Sequence, residues 1–234
     1  MNRTPGSTLG VITIGQSPRP DLLNEMSPYW ESSVDVLESG ALDDLNADQI
    51  RLFSEDAGGG RILVTRLRDG NSLRVPEAFI HARLQTCIDK LVYRGAGVIL
   101  LLCTGSLPES LRSPVPLLYP QKILHAAIPA ICGRERMAVV VPDAVQVGHA
   151  SDQWTRTGLR VEVHSASPYP EKSDADHTNE LDTAIAAIKT SDASLVVLDC
   201  MGYSESVKHR VAQETGRKVV LARTLVARLT GELL

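Results

Sequence analysis

Five consecutive apolar residues, Val98-Ile99-Leu100-Leu101-Leu102, form a run with no polar face. A strand of this kind has to be covered on both sides, as in a parallel sheet flanked by helices. Similar short runs, rich in β-branched residues, recur along the chain: Leu9–Ile14, Ser33–Leu37, Arg61–Thr65, Met137–Val141, Arg160–His164, Leu195–Leu198 and Lys218–Leu221. Between them lie segments with helical spacing at 78–94, 121–132, 145–157, 178–189, 204–215 and 224–234. In the first of these, Phe79, Ala82, Leu84, Ile88, Leu91 and Val92 are apolar, and Gly95 is the stop. Strands alternating with helices predict an α/β fold with mostly parallel sheets.

At roughly 150 residues per domain, a chain of this length makes one large domain or two small ones. Pro108, Pro114, Pro116 and Pro120 crowd the middle of the 234 residues and mark the best boundary. The expected organisation is an N-terminal α/β lobe over 1–115 and a C-terminal α/β lobe over 116–222. A closing helix at 223–234 is expected to pack back on the first lobe. Hydrophobic residues make up 43% of the chain and charged ones 22%, a balance that excludes general disorder. A net charge of −4 argues against a dedicated nucleic-acid binder. No apolar stretch reaches membrane-spanning length, and the first residues lack a signal-peptide pattern. The expectation is a cytoplasmic protein with neither nucleic acid nor membrane as partner.

The cysteines, Cys87, Cys103, Cys132 and Cys200, are far apart and should be free thiols in a reducing compartment. Cys87 lies on an amphipathic helix and Cys132 at a helix end, so both read as core atoms. Cys103 and Cys200 differ, because Gly97–Gly105 and Ser194–Gly202 follow one plan. Each is a buried strand ending in Cys-x-Gly, and the two cysteines are 97 residues apart. Two similar halves, each with a thiol at the carboxyl end of a central strand, explain that repeat. Open α/β sheets place their ligands at that end. The small and turn-forming residues after each cysteine suggest a helix N-terminus nearby, where thiolate is favoured. A pair of such thiols suits general acid–base chemistry, one removing a proton and the other delivering one.

The loop Gly15-Gln16-Ser17-Pro18-Arg19-Pro20-Asp21 follows the first strand. It reads either as a plain helix start with Pro in the first turn or as an anion site. In the second case Ser17 and local N–H groups bind a carboxylate and Arg19 supplies charge, since arginine forks match carboxylates. The same logic covers Thr65–Gly70, where alternation does not say whether Arg66 or Arg68 faces a ligand. Asp199 either tunes Cys200 or caps its strand. Gly58-Gly59-Gly60 precedes a strand, so it is not a dinucleotide fingerprint. The six histidines, at 81, 125, 149, 164, 177 and 209, show no metal spacing, and neither a metal nor another cofactor is expected.

Three segments carry a family resemblance: Leu9–Asp21, the block Leu198-Asp-Cys200-Met-Gly-Tyr203, and the close Leu225–Leu234. They resemble the AroM family, which is itself similar to the aspartate/glutamate/hydantoin racemase superfamily. The resemblance implies two pseudo-symmetric lobes with a site between them and an Asp/Glu racemase-like fold. It also implies cofactor-independent racemisation by a two-cysteine proton shuttle, with relatives that isomerise or decarboxylate. Cys103 and Cys200 would then be catalytic. Gln16, Ser17, Arg19, Arg66, Arg68, Thr104, Gly105, Met201 and Gly202 would bind a small, amino-acid-like carboxylate. Met201-Gly202 stands where glutamate racemases carry Thr and His, which points away from glutamate. A non-catalytic binder of small acids and a one-thiol cis–trans isomerase or decarboxylase remain as alternatives. A homodimer is the default assembly for such folds.

Overall fold

The computed structural model describes residues 8–55, 60–133, 135–169 and 176–234. The Gly58-Gly59 part of the triple-glycine loop therefore lies outside the described residues. Two compact units divide the chain. One comprises residues 1–121 with 226–234, and the other spans 122–225.

In the first unit, β1 (Thr8–Thr13) leads through α1 (Pro20–Met26) to β2 (Asp35–Gly40) and α2 (Ala47–Glu55). A hairpin of β3 (Ile62–Arg66) and β4 (Ser72–Pro76) precedes α3 (Glu77–Tyr93), β5 (Val98–Leu102) and the short β6 (Leu117–Leu118). The sheet order is β2-β1-β5-β6 and every pairing in it is parallel. All five residues of β5 are buried, as the continuous apolar run requires. Helix α3 contributes Ile80, Leu84, Cys87, Ile88 and Leu91 to the core, a spacing that keeps one stripe inward. Near the chain end, Trp30 Nε1 donates to Ala227 O (3.0 Å) and the Arg228 guanidinium lies over the Tyr29 ring.

In the second unit, α4 (Pro120–Cys132) enters from the first and is followed by β7 (Arg136–Val141) and α5 (Val147–Thr155). Then come β8 (Arg160–Ser165), α6 (Asp176–Thr190), β9 (Leu195–Leu198), α7 (Glu205–Thr215), β10 (Lys218–Leu221) and α8 (Ala222–Gly231), whose residues from 226 onward belong to the first unit. Its sheet runs β10-β9-β7-β8, again all parallel. Read from the other edge, β8-β7-β9-β10 repeats β2-β1-β5-β6. In each unit the first strand lies between the second strand and the strand that precedes the cysteine. The repeat seen in the sequence is therefore a repeat of topology.

Three expectations need correction. The second strand covers Asp35–Gly40 rather than 33–37, because its parallel ladder tracks β1 as far as Thr13↔Gly40. The third strand joins neither parallel sheet; it pairs antiparallel with β4, which the sequence reading did not assign. No helix follows Cys103 until α4, because Pro108, Pro114 and Pro116 lie in the connecting passage and cannot sit inside a helix.

Candidate functional site

Cys103 directly follows β5, and Cys200 follows β9 after a single residue, Asp199. Both strands are interior to their sheets. The thiols are 7% and 9% exposed. Each cysteine makes the same turn. Gly105 N–H donates to Cys103 Sγ, and Gly202 N–H donates to Cys200 Sγ, at 3.3 Å in both cases. A backbone donor aimed at sulfur favours thiolate over thiol. Glycine is required at both positions by close approach. A Cβ at 105 would meet Leu63 Cδ2 at 2.7 Å, and one at 202 would meet Tyr169 Cζ at 2.6 Å.

The loop after β1 shares the strand ends of the first unit with Cys103. It is organised around Asp43, which lies just beyond β2. The Asp43 carboxylate accepts from Ser17 N–H (2.7 Å), Ser17 Oγ–H (2.6 Å), Gly40 N–H (2.7 Å) and Arg68 Nη2 (3.2 Å). Ser17 and Arg68 thus do hold an anion, and it is a carboxylate of the chain itself. Gln16 completes the tie, its Oε1 accepting from Arg68 N–H (3.1 Å), while Arg68 Nε donates to Ser17 O (2.8 Å). Arg19 is 4% exposed and forks onto Asp21 through Nε (2.9 Å) and Nη2 (2.8 Å). Arg66 donates to Gly70 O (2.8 Å) and comes within 3.7 Å of Asp21. Both candidate arginines of the β3–β4 hairpin therefore reach the loop after β1. Thr104 and Gly105 continue from Cys103 into a passage held at Ser106, whose carbonyl accepts from His81 (3.1 Å) and whose Oγ accepts from Gln121 (3.1 Å).

In the second unit Asp199 is buried and accepts from Trp154 Nε1 at 2.7 Å. The His125 ring packs against Trp154, tilted by 56°, with centroids 4.3 Å apart. Tyr203 donates its hydroxyl to Ala166 O (2.6 Å). Burial, and then the neighbouring Cys200 and Asp199, push that phenol well above its ordinary range and keep it a neutral donor. Met201 is buried beside Cys200, and Arg223 donates to the Met201 and Gly202 carbonyls. Burial pushes the Cys87 and Cys132 thiols up, as suits core atoms. Among the described residues, no group of three or more His, Cys, Asp or Glu could hold a metal ion, and no helix is long and apolar enough to cross a membrane.

The sequence reading missed Asp43, Asp21, Trp154 and Arg223. Arg223 left a signal, a lone charged residue within the mostly apolar run 219–227. Asp21 lies two residues from Arg19, in the loop already singled out, while Asp43 and Trp154 meet partners far along the chain and leave no period.

Burial also pushes the His125 imidazole below its ordinary value, because the charged form is disfavoured there. As pH falls through about 6.5, the unfolded chain takes up a proton that the folded ring resists, so stability falls with pH. His125→Phe should flatten that loss between roughly pH 7 and pH 5, with little change above it. Urea midpoints measured across this range check it, and parallel curves for the two proteins would contradict it.

Solved structures place the fold. A glutamate racemase isoform from Bacillus anthracis is 12% identical, with 99% of this chain and 82% of that one covered at a TM-score of 0.64. An allantoin racemase from Pseudomonas fluorescens is 13% identical, with coverage of 97% and 90% at 0.59. A maleate isomerase from Pseudomonas putida S16 is 16% identical, with coverage of 94% and 89% at 0.59. At these identities the likeness is one of fold, and the fold is Asp/Glu racemase-like. No curated protein matches the chain. The family model described as AroM protein matches residues 9–234.

Proposed function

The chain belongs to the AroM protein family, and on that footing we propose that it is a cofactor-independent racemase or isomerase of a small carboxylate. Cys103 and Cys200 carry the protons. The observation that supports this most is the matched Cys-x-Gly turn, with a backbone N–H at 3.3 Å from each sulfur, at the ends of topologically equivalent strands. Two core thiols would have no need of matching donors.

In this reading one cysteine rests as thiolate and the other as thiol. The thiolate takes the proton from the carbon next to the substrate carboxylate and becomes a thiol, leaving an enolate. The second cysteine gives its proton to the same carbon and becomes the thiolate, so atoms and charge balance over one turnover. The opposite enantiomer exchanges the two roles. Such a carbon acid is weak, so the developing oxyanion needs donors fixed in advance. Backbone N–H groups of Thr104 and Met201 and the Thr104 hydroxyl are the proposed donors, since the Gly105 and Gly202 N–H groups face the sulfurs.

Gln16, Ser17, Arg19, Arg66 and Arg68 are the proposed substrate-binding set of the first unit. Their hydrogen bonds support a division into two parts. Arg66 and Arg68 are the partly exposed cations for a substrate carboxylate, while Ser17 and Arg19, through Asp43 and Asp21, fix the loop beside them. The protein is proposed to act in the cytoplasm, as a homodimer.

The test is incubation in D2O with a panel of chiral amino, hydroxy and dicarboxylic acids, read by mass spectrometry. Incorporation of one deuterium at the α-carbon, with loss of optical purity, is expected for at least one member. Conversion of an unsaturated diacid included in the panel to its geometric isomer, with no racemisation of any member, would favour one-thiol isomerisation instead. A panel that binds and shifts the thermal midpoint, yet shows neither exchange nor conversion, would favour a binding protein.

A further inference from the structure

We infer that Arg223 is a positioning residue that sets the reactivity of Cys200 through a single peptide group; the inference rests on the reading of Cys200 as a reacting thiol. Arg223 lies in the first turn of α8 and is 2% exposed. A cation is poorly placed there, because the helix dipole is positive at that end and burial strips the guanidinium of water. The structure sets against this two charge-assisted bonds, from Nε to Met201 O (2.9 Å) and from Nη2 to Gly202 O (3.0 Å).

The first of those bonds explains the second half of the geometry. The Met201–Gly202 peptide is trans, so its C=O and N–H point in opposite directions from one rigid plane. The C=O end is held by Arg223. The N–H end donates to Cys200 Sγ at 3.3 Å. Fixing the carbonyl therefore fixes the N–H on the sulfur. A positive charge on the oxygen also polarises the amide and makes its N–H a stronger donor. The second bond, to Gly202 O, holds the following plane and stops the turn from rotating. Arg223 thus delivers part of its charge to the sulfur through that peptide group.

The test uses the full chain and the alkylating probe iodoacetamide, with peptide mapping to read each cysteine separately across pH. In Arg223→Met, alkylation of Cys200 at neutral pH is expected to slow about tenfold and its pH midpoint to rise by about one unit. Arg223→Lys keeps the charge but not the fork and should fall between that variant and wild type. Cys103, measured in the same samples, should keep its profile in both. A merely structural arginine would lower the thermal midpoint and leave the Cys200 profile in place, and that result in either folded variant overturns the inference. So does an equal shift at Cys103 and Cys200. Should Arg223→Met fail to fold, Arg223→Lys alone decides between these outcomes. A wild-type Cys200 that reacts no faster than Cys132 would remove the reacting-thiol reading itself. A fast wild-type Cys200 that ignores Arg223 would remove only the inference.

Discussion

Cys103→Ser and Cys200→Ser are each expected to lower racemisation by about a thousandfold or more. A serine hydroxyl is far too weak an acid and, at neutral pH, far too protonated to replace a thiolate, and proton transfer by a positioned group contributes on the order of 10²–10⁴ in rate. Losing either thiol stops the cycle in both directions, because each direction uses one as base and the other as acid. Folding should survive, since sulfur and oxygen differ little in volume and the Gly105 and Gly202 N–H groups keep an acceptor. Cys87→Ser and Cys132→Ser provide the contrast. Both thiols are pushed up by burial, so they stay protonated at neutral pH, and replacing them should change stability by a core-packing amount with turnover retained. Steady-state assays on the four variants decide it. Equal losses in all four would mean that the assay reports folding rather than chemistry.

Trp154 carries the largest expected effect on stability. Its side chain is fully buried in the second unit, and its indole N–H is bonded to the Asp199 carboxylate next to Cys200. Trp154→Ala should cost about 3–5 kcal/mol from lost burial and the cavity left behind. Trp154→Phe separates the two contributions. It keeps most of the apolar volume and removes the donor, so it should cost about 1.5–3 kcal/mol, the range for a hydrogen bond to a charged group. Denaturant midpoints for the two variants test this order. Equal costs would mean that the apolar volume kept by Phe contributes nothing, whereas a Trp154→Phe cost near zero would mean that packing alone holds the segment.

The legible part of this molecule was what repeats. Continuous apolar runs such as Val98–Leu102 and Leu195–Leu198 are covered strands because no face of them is polar, and the structure buries every residue of both. The paired Cys-x-Gly motif was legible for the same reason, as a local pattern occurring twice. What escaped the sequence reading depends on contacts between distant positions. Asp43 is 26 residues from Ser17, and nothing in either neighbourhood announces their hydrogen bonds. Ser17 and Arg19 were read as donors to a substrate anion, and in the structure an internal carboxylate faces each of them. The β3–β4 hairpin was missed because Ser72–Pro76 is short, with only Leu73 and Val75 alternating before a proline, and its order comes from pairing with β3.

The central claim is that two cysteines act on one carbon as acid and base, and deuterium wash-in with each enantiomer tests it most directly. Once the substrate is known, Cys103→Ser and Cys200→Ser are incubated separately with each enantiomer in D2O, and α-deuterium is measured in recovered substrate. The account predicts that each variant still exchanges the proton of one enantiomer, that the two variants choose opposite enantiomers, and that neither inverts configuration. Full racemisation by either variant, or exchange of the same enantiomer by both, would contradict it.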